Sequence, residues 1–215
     1  MTTDKHPPLV IILGPTAVGK TALSLTLAEQ LDGEIVSADS RLFYRGMDIG
    51  TAKPTPQEMA RVPHHLIDIA DPDETVGLAQ FIDLAKAAID EIHGRSRIPF
   101  LVGGTGQYIR AIVRGWDPPA VPPQPELRAE LEAVAAAEGT QALHDRLAEL
   151  DPPAAERIDH RNVRRVVRAL EVSIVTGEPF SAQRTRIPPP YHILQVGLTM
   201  DREALYNRVD ARLEA

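Results

Sequence analysis

The chain of 215 residues carries 30 acidic against 23 basic side chains, is 43 % hydrophobic and contains no cysteine. That length allows one substantial core with room for a small extra unit, while the lack of cysteine excludes disulfides, Cys-based zinc sites and thiol nucleophiles and leaves a hard, oxygen-liganded ion as the metal to expect. The acidic balance speaks against a generally basic nucleic-acid binder, and with no apolar run near the roughly 18 residues that cross a bilayer and no signal-peptide pattern in Met1 to Pro8, the sequence reads as soluble, cytoplasmic and without a membrane partner.

Leu9 to Leu13 is an apolar run of strand length, and Thr21 to Leu31 carries apolar residues at helical spacing, so the chain opens strand, tight turn, helix. Glu34 to Ala38 reads as a second strand. Between Ser40 and Asp73 periodicity is weak and turn formers are frequent, from Gly46 and Gly50 to Pro63 and Pro72, and structureless stretches of that length are usually functional. Gly77 to His93 places Leu78, Phe81, Ile82, Ala85, Ala88, Ile89 and Ile92 on one helical face, Pro99 to Val102 returns to a strand, and Tyr108 to Val113 begins another helix. The alternation predicts a parallel sheet with right-handed crossovers.

From Asp117 the composition changes. Pro118, Pro119, Pro122, Pro123 and Pro125 form a stiff connector before an Ala- and Glu-rich helical stretch through Leu150. Pro152 and Pro153 open a further helix, Arg161 to Val175 forms another that ends at Gly177, and Pro188 to Pro190 closes the unit. His192 to Leu198 is strand-like again, and Asp201 caps a last helix running from Arg202 to Ala215. The expected organisation is a core over 1–116, a small all-helical insertion over 117–190, and a return to the core over 191–215.

Gly14-Pro15-Thr16-Ala17-Val18-Gly19-Lys20-Thr21 matches G-x-x-x-x-G-K-S/T at every fixed position and lies between a strand and a helix. Such a loop curls its backbone N–H groups around phosphate oxygens at a helix N-terminus, with Lys20 reaching the outer phosphate and the Thr21 hydroxyl placed to ligate Mg²⁺. The fold class that follows is α/β, a P-loop NTPase-like parallel sheet flanked by helices. Kinases, hydrolases and some transferases share the loop, so it does not name the phosphate compound. Asp39 ends the second strand, on the sheet edge where the phosphate loop opens, suited either to hold Mg²⁺ through water or to accept a proton from a nucleophile.

The run from Asp39 through Tyr44-Arg45-Gly46-Met47-Asp48-Ile49-Gly50-Thr51-Ala52-Lys53-Pro54, with the GPTAxGKT loop and His64-His65-Leu66-Ile67-Asp68, resembles the tRNA dimethylallyltransferases, or tRNA isopentenyltransferases. The likeness continues through Gly103-Gly104-Thr105-Gly106, Arg165 to Val172, and Leu205 to Arg212. It implies transfer of a dimethylallyl group from its diphosphate to N6 of adenine 37 beside the tRNA anticodon, with release of diphosphate. The loop Gly14 to Thr21 would then hold the prenyl diphosphate, Asp39 would take the N6 proton, and Thr105 would contact the base or the bridging oxygen. Asp39, Ser40, Arg41, Leu42 and Thr105 would meet the tRNA, with Leu42 and Phe43 standing where many members have Gln-Val, so that base recognition there rests on packing or backbone contacts. Members usually continue well past 215 residues, so the resemblance reads this chain as cut short at its C-terminus.

Arg161, Arg165 and Arg168 recur at helical spacing opposite Val163, Val167, Leu170 and Ile174, and Arg164 widens the basic side. Salt bridges to Glu156, Asp159 or Glu171 are the plain reading of such a row. The resemblance makes it a contact for the tRNA anticodon arm and adds Arg128, so the insertion would clamp the RNA. Tyr44, Tyr108 and Trp116 are the aromatics nearest predicted loops for base stacking. The adjacent His64 and His65 are read as loop-packing residues, and Lys53 as a phosphate contact or a solvated lysine. No protein partner is implied, and a monomer is expected. The competing readings are a small-molecule or nucleotide kinase using the same loop for ATP, and prenylation of free adenine nucleotides.

Overall fold

The computed structural model describes residues 6–119, 121–183 and 185–213. They form two compact units, Met1–Gly115 with Pro188–Ala215, and Trp116–Ile187. In chain order the first unit contains β1 (Pro8–Leu13), α1 (Lys20–Gln30), β2 (Gly33–Ser37), α2 (Pro56–Arg61), β3 (His64–His65), α3 (Leu78–Gly94), β4 (Ile98–Gly103) and α4 (Gly106–Val113). The second holds β5 (Trp116–Asp117), α5 (Pro125–Glu138), α6 (Thr140–Leu150), α7 (Pro152–Ala155), α8 (Val163–Thr176), α9 (Phe180–Gln183) and β6 (Thr185–Arg186). The chain then returns to the first unit as β7 (His192–Gly197) and α10 (Arg202–Leu213). The end of the expected last helix, Ala215, lies outside the described residues.

Five strands form one sheet in the order β3-β2-β4-β1-β7, and every pairing in it is parallel. Strands of such a sheet are buried on both faces and therefore apolar along their whole length. Ile12, Ile35 and Phe100 pack with Leu25 and Ala28 of α1. The alternate set, Leu9, Ile11, Val36 and Leu101, is fully buried as well. Phe81, Ile82, Ala85, Ala88, Ile89 and Ile92 of α3 are buried on the face that their spacing predicts.

Phe43 and Tyr108 depart from expectation. Both are sunk in the core, stacked with each other at 5.8 Å between ring centroids and with Phe81 at 6.1 and 4.1 Å. Tyr108 is thus a core residue and not a stacking platform for bases. The stretch after Ser40 is also more ordered than its turn formers suggest. Thr55 and Glu58 form a reciprocal capping box that starts α2, and the two histidines are strand, not loop, pairing with Ile35 and Val36. They turn to opposite sides, His64 Nδ1 lying 2.7 Å from the Val62 carbonyl and His65 Nε2 2.6 Å from Glu34 Oε2.

The second unit is not all-helical. β5 and β6 pair antiparallel, Trp116 opposite Arg186 and Asp117 opposite Thr185, which joins its two ends. The predicted helical stretch through Leu150 is broken at Gly139, whose φ of 93° ends α5 and starts α6. Leu131, Leu143, Leu147, Ile158, Val166 and Leu170 form its core. The helix expected from Arg161 begins two residues later, because the Asn162 side chain accepts from the Arg165 N–H and caps α8. Its buried face includes Val166, whereas Ile174 is 47 % exposed.

Glu34, on β2, is 2 % exposed overall. Arg95 donates to both its oxygens at 3.0 and 2.7 Å, and Arg97 adds a bond of 3.2 Å. The Arg95 guanidinium first, then His65 and Arg97, outweigh burial and hold its carboxyl down at about 2. A carboxylate depressed in the folded state stabilises it fully above the unfolded value and loses that contribution as pH falls through the folded value. Glu34→Gln is therefore expected to lower stability at pH 7 and to flatten the loss of stability between pH 4.5 and about 2, read from urea midpoints across that window. Gly103→Ala should cost roughly 3 kcal/mol in the same assay, because a Cβ there would stand 2.2 Å from the Ala38 carbonyl oxygen.

Candidate active site

Four strands of the sheet end level. Leu13 pairs with Gly103 on one side and Gly197 on the other, and Ser37 pairs with Val102. The segments that follow β1, β2 and β4 therefore leave the same edge of the sheet, where parallel α/β sheets bind ligands. Those segments carry Gly14 to Thr21, Asp39 to Leu42, and Gly104 to Thr105.

In the first segment Ala17 has φ 65° and Gly19 φ 106°, a left-handed geometry that curls successive N–H groups inward. Val18 is buried beneath the loop, while Pro15, Thr16 and Thr21 are exposed. The N-terminus of α1 has no side-chain cap and no acidic residue in its first turn, so the positive end of the helix is left to an anion. Lys20 bends back over the loop, its Nζ donating to the carbonyls of Gly14 at 3.0 Å and Pro15 at 2.8 Å.

The β4 turn closes on this loop through glycines. A Cβ on Gly104 would lie 3.6 Å from the Gly14 oxygen and 3.8 Å from Lys20 Nζ. Thr105 starts α4 without capping it. Its hydroxyl instead accepts from the Ser40 N–H at 3.3 Å, and its own N–H donates to the Ala38 carbonyl at 3.3 Å. Thr105 and the Asp39 segment are thereby one assembly.

Asp39 and Ser40 are half-buried and Arg41 is exposed. The Asp39 Oδ1 accepts from the Arg41 N–H at 3.0 Å, which fixes the carboxylate at the start of the turn. Leu42 is half-buried beside the fully buried Phe43, so the chain dives into the core directly after these residues.

The arginines behave differently from one another. Arg164 and Arg165 of α8 are exposed. Arg161 lies before the helix and pairs with Asp159 at 2.5 Å, so it is not part of the row. Arg128 donates to both oxygens of the buried Glu171 at 2.7 and 2.9 Å, and Arg168 donates to Glu171 Oε2 at 2.6 Å and to the Val121 carbonyl at 3.0 Å. Burial alone would raise the Glu171 carboxyl, but bonds from Arg128, Arg168 and the Gln124 N–H bring it down to about 2. Arg128, Arg164 and Arg168, with Glu132, Val163 and Val167, line an open groove of about 520 Å³ in this unit.

Two further residues, Lys53 and Asp68, pair across the loops that follow β2 and β3. Lys53 is not a solvated lysine: its side chain is 6 % exposed and binds Asp48 and Asp68. Asp68, in the loop after β3, was legible only as part of a motif.

A family model described as IPP transferase matches residues 42–215, and a second, described as isopentenyl transferase, matches residues 7–71. The chain is 62 % identical to a tRNA dimethylallyltransferase of a Roseiflexus species, covering 97 % of this chain and 68 % of the relative. It is 60 % identical to the tRNA dimethylallyltransferase of Chloroflexus aurantiacus, over 96 % of this chain and 70 % of the relative. Among solved structures, the full-length tRNA isopentenylpyrophosphate transferase of Bacillus halodurans aligns at 50 % identity and TM-score 0.63, covering 96 % of this chain and 65 % of that one. A eukaryotic dimethylallyltransferase acting on tRNA aligns at 27 % identity and TM-score 0.78, over 97 % of this chain and 53 % of that one. The chain thus spans about two thirds of the length of the curated relatives.

Glu171→Ala leaves two guanidiniums without their buried partner. It is expected to destabilise the helical unit by roughly 3 kcal/mol, which a thermal unfolding scan against wild type would register.

Proposed function

The chain belongs to the IPP transferase family, the family of the tRNA dimethylallyltransferases, and on that premise we propose that it transfers a dimethylallyl group from dimethylallyl diphosphate to N6 of adenine 37 in tRNA. The observation that carries this reading is the convergence, on one sheet edge, of a phosphate-binding loop with the Asp39 carboxylate and the Thr105 hydroxyl. The loop Gly14 to Thr21 holds the diphosphate by backbone N–H groups, with Lys20 on its outer oxygens.

In the reaction the bond between C1 of the prenyl group and the bridging oxygen breaks, and its electron pair leaves with diphosphate. The N6 lone pair forms the new bond to C1, and the N6 proton passes to the Asp39 carboxylate. An allylic carbon gains positive charge as the leaving group departs, so stabilising diphosphate and aligning a weak nitrogen nucleophile are the two tasks of the site. Thr105, tied to the Ser40 amide, takes the contact to the base or the bridging oxygen in this reading. Ser40, Arg41 and Leu42 face the same acceptor.

Among the described residues no group of three His, Cys, Asp or Glu side chains could hold a metal. The donor set fits Mg²⁺ only as an ion shared with phosphate, since Mg²⁺ keeps several waters and takes few protein ligands. The exposed Thr21 hydroxyl in the first turn of α1 would hold it, and the ion would supply neutralisation of the departing charge.

The anticodon arm is assigned to the helical unit. Arg164 and Arg165 offer charge directly, and Arg128 and Arg168 line the groove while anchored on Glu171. Arg161 can contribute only by giving up Asp159. Among the described residues no helix is long and apolar enough to cross a membrane, in keeping with a cytoplasmic enzyme, which we take to act as a monomer.

The test is transfer of radiolabelled dimethylallyl groups to an unmodified anticodon stem-loop bearing adenine 37. Wild type should label the RNA, and Asp39→Ala should lower turnover at least about 100-fold. Lys20→Ala should raise the KM for the diphosphate as well as lowering kcat. ATP-dependent phosphorylation of a small acceptor, with no label in RNA from this chain or from one extended to its relatives' length, would favour the kinase reading and sink this one. Label in free adenine nucleotides but not in the stem-loop would replace tRNA as the acceptor.

A further inference from the structure

The stretch between β2 and α2 is organised around an ammonium group that the reaction above does not use. The Lys53 Nζ donates to the Tyr44 carbonyl at 3.1 Å, to Asp48 Oδ1 at 2.5 Å and to Asp68 Oδ1 at 2.6 Å. Three acceptors match the three N–H bonds of an ammonium, which is the condition for burying one. Two of them come from the lysine's own loop, which is thereby closed on itself. The third comes from the loop after β3.

Asp68 is in turn linked to the acceptor side of the site. Its N–H donates to the Leu42 carbonyl at 3.1 Å, the Leu42 N–H donates to the Asp39 carbonyl at 3.2 Å, and the Arg41 N–H donates to the Asp39 carboxylate at 3.0 Å. Beside this run the Ala70 N–H donates to the Phe43 carbonyl and the Arg45 N–H to the Ala70 carbonyl, each at 3.0 Å. The backbone is left-handed at both Leu66 and Asp68, φ 60° and 56°; an Asp takes this geometry readily, but for the buried Leu66 it is uncommon and needs support from its surroundings. The phosphate loop hangs from β1 and shares none of these bonds.

We propose that Lys53 is a positioning residue for the transfer reaction, pinning the loop after β2 to the loop after β3 and so fixing where the Asp39 carboxylate and the Ser40 to Leu42 backbone stand. The proposal rests on the reading of Asp39 as proton acceptor. It separates the two halves of the site: loss of Lys53 should harm alignment of the acceptor and spare binding of the diphosphate.

The experiment compares wild type, Lys53→Met, Lys53→Arg and Asp68→Asn in the stem-loop assay, with amide hydrogen exchange on the same samples. Lys53→Met is expected to lower kcat by 10- to 100-fold with the KM for dimethylallyl diphosphate within about twofold of wild type, and Lys53→Arg to recover part of the loss. Exchange should quicken at the amides of Leu42, Asp68 and Ala70 and stay unchanged at those of Gly19 to Thr21. A folded Lys53→Met with wild-type kcat overturns the proposal, as does a raised diphosphate KM with kcat kept, which would make Lys53 a phosphate ligand. If Lys53→Met does not fold, Asp68→Asn, of nearly the same shape as wild type, decides: unchanged turnover and exchange overturn the proposal. Full turnover in Asp39→Ala beside a loss in Lys53→Met would overturn the assignment of Asp39 while leaving the positioning of the loop; wild-type turnover in Lys53→Met with loss in Asp39→Ala would do the reverse.

Discussion

Parallel pairing in register brings the carboxyl ends of β1, β2, β4 and β7 to one level, with Leu13 between Gly103 and Gly197 and Ser37 beside Val102. The candidate site depends on that alignment more than on any one side chain, because each of its parts is a short turn leaving a strand end. The alignment in turn demands glycine where the turns meet. At Gly103 a side chain would strike the Ala38 carbonyl, and at Gly14 it would come within 2.8 Å of the Leu198 oxygen. Either collision would part the strand ends, and the Thr105 bonds to Ala38 and Ser40 would part with them.

Charge in the helical unit follows a second constraint, that a buried carboxylate must be met by donors. Glu171 is fully buried and accepts four bonds, one from the Gln124 N–H, two from Arg128 and one from Arg168. Two arginines that line the groove are therefore already half-neutralised, and their guanidiniums are fixed in place. Arg164 and Arg165 are the exposed part of the row. Fixed donors favour shape-specific contact with phosphates, and exposed ones favour general attraction, so the unit has both from a short stretch of helix.

How much of this was legible in the sequence depended on whether a feature is local. The phosphate loop is a backbone conformation written in consecutive residues, so its motif located it without tertiary information. Asp39 and Thr105 were legible because each follows an apolar run, and strand ends in an alternating α/β pattern share an edge. The start of α2 was equally local: Thr55, Pro56 and Glu58 spell a capping box inside a stretch that turn formers had marked as loop. Asn162 was likewise a readable cap, and it puts Arg161 before the helix. Phe43 and Tyr108 were harder, since nothing near them in sequence shows that they stack on Phe81. Lys53 and Asp68 are 15 residues apart, and their ion pair exists only once β2 and β3 are neighbours.

The two halves of the site consequently differ in what holds them. The phosphate half is backbone wrapped on a helix end, held by the glycines at 14 and 19 and by Lys20 folded back on the Gly14 and Pro15 carbonyls. The acceptor half is a long loop with little helix or sheet, and it would lose much conformational entropy on ordering. Burying Phe43 anchors one point of that loop, and the Thr105 hydroxyl anchors a second at Ser40. Both points lie close to Asp39, and further along the Arg45 N–H bond to the Ala70 carbonyl and the Arg45–Asp71 pair tie the loop to the segment after β3. The Lys53 ammonium, which gathers Tyr44, Asp48 and Asp68, adds an anchor of its own to that span. Each anchor removes freedom that the loop would otherwise have to lose when the site closes on its substrates, so a lysine outside the chemistry can still bear on where a weak nucleophile is aimed.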